Sequence, residues 1–257
     1  KRKTTMEELI GYYIRNKEFK KLQAMLQDLP KHELKEILLH LKIDEQGSLF
    51  EALAEDKALE LFKVLRISQQ KNLLSTLKPP MVQSILNQLS PDDRVKLFDR
   101  LPEKQFKSFL SILSAANREE TLKLQAYTPE TAGRIMTTEY VTLTGELTQE
   151  EALSKVSDEA RRKENIYILF VVDMQEKLQG FITLGQLLTV NPKVLIQDVM
   201  SQQPFSVKTS DDQEQVAQKV KELDLIALAV TDEEERLVGI LTFTLDEIQR
   251  LKVFMRK

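Results

Sequence analysis

The sequence predicts a multi-domain fold: an all-α superhelical solenoid of short helices, followed by a duplicated α/β module. Three observations carry this. Leucine recurs at positions 29, 41, 53, 65, 77, 89, 101 and 113, a twelve-residue period. An apolar pair follows seven of these rungs, at Ile37/Leu38, Leu49/Phe50, Leu61/Phe62, Leu73/Leu74, Ile85/Leu86, Leu97/Phe98 and Phe109/Leu110. From Ala132 the period is lost, and two segments repeat a different order of signals.

The stretch from Met6 to Met25 reads as a longer helix that caps the entry to the solenoid. Each later unit reads as one helix of about two turns, marginal alone because helix nucleation is costly. Stacking on neighbours must hold it. Prolines in Leu29-Pro30, Leu77-Lys78-Pro79, Leu89-Ser90-Pro91 and Leu101-Pro102 mark helix starts, since their fixed φ suits the first helical position. Two units make a helix-turn-helix of 24 residues, a period that signals a solenoid. A right-handed superhelix is expected over residues 4 to 126. A plain helical bundle is the alternative, although a bundle needs no fixed period.

In the second half, Ile135-Met136-Thr137, Tyr140 to Leu143, a polar helix from Leu147, the strand Tyr167 to Val172, Asp173, a turn and Gly180 to Thr183 form one copy. Val199-Met200-Ser201, Phe205 to Val207, a helix from Asp211 to Leu223, the strand Ile226 to Val230, Asp232, a turn and Gly239 to Thr242 form the other. Met136 to Met200 is 64 residues and Gly180 to Gly239 is 59, which puts five extra residues in the first helix region, around Ser157 to Asn165. Short apolar runs bounded by turn residues read as strands, with the glycines where a hairpin returns.

Composition sets bounds on function. At 257 residues, 42% apolar and 30% charged, the chain has room for two cores. Its longest apolar run, Ile166 to Val172, falls well short of the roughly 20 residues that cross a bilayer. The chain shows no signal peptide and opens on Lys1 rather than methionine, which suggests a fragment and leaves open that its parent contains membrane segments beyond Lys257. The lack of cysteine excludes disulfides, thiolate metal sites and cysteine nucleophiles. His32 and His40 have no catalytic partner in sight, and a net charge of −3 without a basic stripe gives nucleic-acid binding no electrostatic support. No acid/base pair, nucleophile or phosphate-cradling loop points to an enzyme.

The duplicated order β-α-β-β-α over residues 132 to 250 resembles the CBS domain, a small module that packs in tandem pairs. The joint Tyr127-Thr128-Pro129-Glu130-Thr131-Ala132-Gly133-Arg134-Ile135-Met136-Thr137-Thr138-Glu139-Tyr140-Val141 resembles the junction of MgtE-family magnesium transporters. With a solenoid before it and two CBS units after it, it is similar to the cytosolic region of such a transporter. The resemblance implies an MgtE-type N-terminal α-helical superhelix over 1–128, CBS domains over 129–195 and 196–250, and the start of a connecting helix over 251–257. It further implies a homodimer through the CBS domains at the cytoplasmic face of the cell membrane, joined to a transmembrane pore domain. Mg²⁺ is the implied cofactor: bound between N domain and CBS units it holds a closed state, and its loss opens the pore.

The same resemblance suggests cation contacts at Asp92, Asp93, Asp212, Glu214 and Asp224. A plainer reading stands beside it for the first four. Ser90 as N-cap, Pro91 and two acids in the first turn are what any helix start prefers, and Ser210 to Glu214 reads the same way. Asp224 lies near a helix C-terminus, where negative charge is disfavoured.

Two departures from the family pattern matter. Paired aspartates expected after Thr242 are replaced by Thr244 and Leu245, with Asp246 and Glu247 following, and Arg250, Lys252, Arg256 and Lys257 make the next stretch basic. CBS units that hold adenosine typically place an aspartate three residues after the strand-ending threonine, whereas Gln186 and Leu245 stand here. That makes nucleotide binding doubtful. The alternative functions are an adenine-nucleotide-responsive CBS regulator, or a structural scaffold like the flagellar motor switch protein, whose short helices also stack.

Overall fold

Helices begin at Lys31, Ile43, Glu55, Ile67, Pro79, Pro91, Glu103 and Ala115, one every twelve residues. The computed structural model describes residues 6–160, 163, 165–202, 204–223 and 226–243. By contact it forms two bodies: one from the chain up to Leu89 together with Lys96–Glu119, the other from Ser90–Val95 with the chain from Glu120 onward.

The first body contains α1 (Met6–Arg15), α2 (Phe19–Gln27), α3 (Lys31–His40), α4 (Ile43–Ala52), α5 (Glu55–Lys63), α6 (Ile67–Leu74), α7 (Pro79–Gln88) and α9 (Glu103–Ile112) whole, with the last three residues of α8 (Pro91–Phe98) and the first five of α10 (Ala115–Gln125). Each leucine rung falls in the turn before a helix, and all eight pack into one apolar core with the paired residues. Leu49, Phe50, Leu61 and Phe62 are wholly buried there. Helices pack on the helix two along, α2 on α4, α3 on α5, α4 on α6, α5 on α7 and α7 on α9. A 24-residue repeat has this consequence, because alternate helices return to the same side of the stack.

The entry differs from expectation. Met6 to Met25 is two helices, not one, broken at Lys17, whose φ is 57°. Glu18 N donates to Tyr13 O at 2.9 Å and Lys17 N to Ile14 O at 3.1 Å, the paired bonds of a Schellman cap. With lysine at the left-handed position, no glycine signals the stop. Proline usage also splits: Pro79 and Pro91 open helices, while Pro30 and Pro102 stand one residue earlier as extended N-caps.

The second body holds two three-stranded sheets. In the first, β1 (Tyr140–Thr144) runs parallel to β2 (Asn165–Val172), which pairs antiparallel with β3 (Leu178–Thr183). In the second, β4 (Ser206–Lys208), β5 (Ala227–Thr231) and β6 (Leu237–Thr242) repeat the arrangement. Between the parallel strands run α12 (Gln149–Glu159) and α15 (Gln213–Leu223), both of eleven residues. The extra residues of the first copy therefore follow its helix rather than lengthen it. Short helices α11 (Ala132–Ile135), α13 (Leu184–Thr189) and α14 (Ile196–Val199) complete the described elements. The two sheets share a core of Phe170, Val172, Ala229, Leu237 and Ile240.

Neither copy is self-contained. Thr137, which opens the first copy, bridges to Ile240 in the second, and Ser201, which opens the second, bridges to Phe181 in the first. The glycines serve this exchange and not the hairpin turns. Gly180 and Gly239 lie within β3 and β6, and among described residues the positive φ angles in the hairpins belong to Glu176 and Glu235. At Gly239 an added Cβ would lie 2.3 Å from Met136 Sδ, and at Gly180 2.4 Å from the Ser201 carbonyl oxygen.

Candidate functional site

Four of the five acids suggested by sequence lie at two helix starts, both in the second body; Asp224 lies outside the described residues, as do Leu245, Asp246 and Glu247. Asp92 and Asp93 form the first turn of α8 and are half-buried. Ser90 does not cap them as expected. Its hydroxyl is buried with no hydrogen-bond partner among the described residues, while its carbonyl accepts from Arg94 N at 2.9 Å.

The second helix start is a true cap. Asp212 Oδ1 accepts from Glu214 N at 2.9 Å and Gln215 N at 3.2 Å, satisfying first-turn amides of α15. Asp212 and Glu214 are exposed. The neighbouring Asp211 works on the backbone instead, with Oδ2 accepting from Lys208 N at 2.9 Å. Among the described residues, no three acids or histidines are gathered in a geometry that holds a metal ion. The donor set is nevertheless of the right kind for Mg²⁺, which takes oxygen ligands and keeps several waters.

These helix starts are woven into the joint. Ala132 N donates to Asp211 O at 2.8 Å, Gly133 N to Thr209 O at 2.9 Å, and Gln213 N to Glu130 O at 2.9 Å. Gly133 is required by crowding, since a Cβ there would lie 2.7 Å from the Tyr127 ring. Arg134 Nη1 donates to Gln125 O, the last carbonyl of α10, and at 2.9 Å to Tyr127 O just beyond it. Burial raises the Tyr127 pKa, and the Asp232 charge adds to this.

Sequence reasoning missed Arg94. It is 1% exposed, with Nη2 3.1 Å from Glu120 Oε2. Read along the chain it is one cation after two acids, and no local signal marks it as buried.

A cleft of about 510 Å³ opens between Tyr167, Ile168, Thr183, Leu184, Gly185, Leu188 and Ile226. It is walled mainly by apolar groups, and Tyr167 and Leu188 are 65% and 59% exposed. Gln186 folds back as the N3 residue of a capping box: its Oε1 accepts from Thr183 N at 3.0 Å and Thr183 Oγ1 at 2.9 Å. No helix among the described residues is long and apolar enough to cross a membrane.

Two family profiles match the chain: the MgtE intracellular N domain over residues 29–130, and the CBS domain over residues 132–192 and 196–244. A magnesium transporter MgtE of Enterococcus faecalis is 32% identical over 239 residues, which are 88% of this chain and 53% of that protein. The crystal structure of the cytosolic domain of the Mg²⁺ channel MgtE in complex with ATP is similar, with a TM-score of 0.87 at 29% identity over 94% of this chain and 98% of that one. The soluble part of a magnesium transporter gives 0.84 at 28% identity, over 98% of each chain. This chain spans about half the length of the curated relatives it matches. Because one of these neighbours was determined with ATP, the doubt over nucleotide binding drawn from Gln186 and Leu245 finds no support among them.

Proposed function

We propose, since the chain belongs to the MgtE family and carries its intracellular N domain and CBS pair in order, that it is the cytosolic Mg²⁺-sensing region of a magnesium transporter. In this reading it gates ion transport at the cytoplasmic face of the membrane through Mg²⁺-dependent association of the N domain (1–128) with a dimer of the CBS domains (129–195 and 196–250). The connecting helix that the resemblance implies over 251–257 lies outside the described residues. The region binds and signals, and performs no catalytic step.

The observation that carries this reading is the pair of acidic helix starts, Asp92/Asp93 on α8 and Asp212/Glu214 on α15. Asp212 spends Oδ1 on its own cap, while Oδ2 has no hydrogen-bond partner among the described residues. Together with Asp224 these acids would hold the ion. The ion supplies positive charge that offsets the repulsion of facing carboxylates. A ligand that binds the closed arrangement better raises its population.

The test is small-angle scattering and limited proteolysis of the purified chain with and without millimolar Mg²⁺. Compaction and protection around Tyr127–Thr137 are expected with the metal. Neutralising Asp92, Asp93, Asp212, Glu214 and Asp224 together should abolish both changes; a variant that still responds like the wild type overturns the reading.

A second reading, adenine-nucleotide response, is favoured by the cleft at Tyr167, Thr183 and Ile226 and by the ATP complex of a similar protein. Calorimetry with ATP and AMP, in the presence and absence of Mg²⁺, separates the two.

A further inference from the structure

Arg94 is the largest fully buried side chain among the described residues. A buried charge is costly unless it is paired and hydrogen-bonded. Its partner Glu120 lies at the middle of α10, and Glu120 Oε1 accepts a hydrogen bond from Thr138 Oγ1, just before β1. Three separate stretches of chain therefore meet at one ion pair, with Glu120 bonded through one oxygen to Arg94 and through the other to Thr138: the start of α8, the middle of α10 and the joint. Burial lowers the Arg94 pKa, while Glu120, Glu139 and Asp92 act in the opposite sense, and an arginine so surrounded stays charged.

The packing around it points the same way. Val95, 1% exposed, enters an apolar cluster with Leu124, Ala132, Met136, Val220 and Leu228. The first turn of α8 thus completes the core of the second CBS copy. The contact boundary runs inside helices, between Val95 and Lys96 in α8 and between Glu119 and Glu120 in α10.

We propose that Arg94 is a built-in cation that, through Glu120, fastens the start of α8 and the middle of α10 to the CBS joint without a metal. Its neighbours on α8, Asp92 and Asp93, then face any Mg²⁺ from a fixed platform, a consequence that rests on the sensing reading above. A guanidinium suits this role because its fork meets carboxylates at fixed geometry and does not leave when ion concentration falls.

Amide hydrogen exchange of the full chain, in chelator and in millimolar MgCl₂, tests this. In the wild type the amides of 92–95 and 121–126 should exchange equally slowly in both solutions. Arg94→Met should speed exchange there at least about tenfold, a change of 1.4 kcal/mol, while β2 and β3 of the first copy stay protected. Arg94→Lys, which keeps the charge but loses the fork, should fall between them. Should Arg94→Met fail to fold, Glu120→Gln removes the partner charge at equal size and should give the same tenfold change. Protection of 92–95 that vanishes in chelator, or an Arg94→Met protein that exchanges like the wild type, overturns the proposal. Scattering on the same samples keeps the two ideas apart: absence of Mg²⁺-driven compaction with the Arg94 results intact sinks only the sensing reading.

Discussion

Met136 lies against Gly239 so closely that a single added methyl would sit 2.3 Å from its sulfur. The duplicated counterpart is Gly180, crowded by the Ser201 carbonyl at 2.4 Å and by Met200 Sδ at 3.0 Å. Each opening methionine is thus anchored in the sheet of the other copy, and the two copies cannot separate without emptying both sites.

Alanine at these positions ranks the sites by what must move. Gly180→Ala meets backbone and should destabilise by about 2–3 kcal/mol, whereas Gly239→Ala meets a flexible thioether and should cost about 1–2 kcal/mol. Gly185→Ala is the control: it lies in α13 with its nearest atom at 4.0 Å and should gain up to about 1 kcal/mol from helix propensity. Urea unfolding midpoints report all three, and equal midpoints for Gly180→Ala and Gly185→Ala would contradict the close approach.

Left-handed residues without glycine offer the opposite sign. Lys17, Glu176 and Glu235 have φ of 57°, 64° and 65°, a region that costs a residue with a Cβ about 1–2 kcal/mol. Glycine pays no such steric penalty, so Lys17→Gly, Glu176→Gly and Glu235→Gly should each raise stability by about 0.5–1 kcal/mol. Thermal melts of the Lys17→Gly/Glu176→Gly pair should show the sum, because the cap at Lys17 shares no partner with that hairpin, whereas Glu176→Gly and Glu235→Gly should couple, since Leu178 N donates to Glu235 O and Leu237 N to Glu176 O.

Tyr140 sets an alkaline limit. Burial, helped by the charge of Glu176, pushes its pKa up to about 12, and its hydroxyl donates to Leu237 O at 3.2 Å. The folded value exceeds the unfolded value of about 10, so this stabilisation is complete below pH about 10 and is lost as pH climbs towards 12, a difference of about 2–3 kcal/mol. Tyr140→Phe should remove that part of the alkaline loss while costing about 0.5–1.5 kcal/mol at neutral pH. Denaturation series at several pH values measure both effects.

Gln186→Asp probes the nucleotide reading. The amide now folds onto Thr183, where an ionised carboxylate would offer ribose hydroxyls a charge-assisted acceptor worth about 1.5–3 kcal/mol. ATP affinity by calorimetry should rise about tenfold or more; an unchanged affinity would place the nucleotide, if bound, elsewhere than beside α13.

The stacked helices were legible because their signal is periodic: a rung every twelve residues and a buried pair after it are local facts that stacking merely uses. The two α/β copies were legible for the same reason, as matched orders of strand, turn and helix. What stayed hidden depends on distant partners. Glycine at 180 and 239 suits a turn and a close approach equally well, and only the methionine of the other copy decides between them. Repeats that exchange their first residues also spell the same pattern as repeats that keep them. Arg94 is buried because a carboxylate 26 residues later meets it, which no window along the chain contains. At the candidate site, the sequence marks Ser210 to Glu214 as a capped helix start without saying which residue caps it, and the structure gives that part to Asp212; Ser90, expected as the cap of α8, has a buried hydroxyl with no partner among the described residues.

Since α2, α3, α4, α5 and α7 each rest on the helix two positions along, length can change there only in whole pairs. Excising 24 residues, such as 42–65, would bring matching faces back together; excising twelve would present each later helix with the wrong side of its neighbour. Such a stack can be shortened or extended by gene duplication in fixed increments, with each new pair inheriting a ready-made seam.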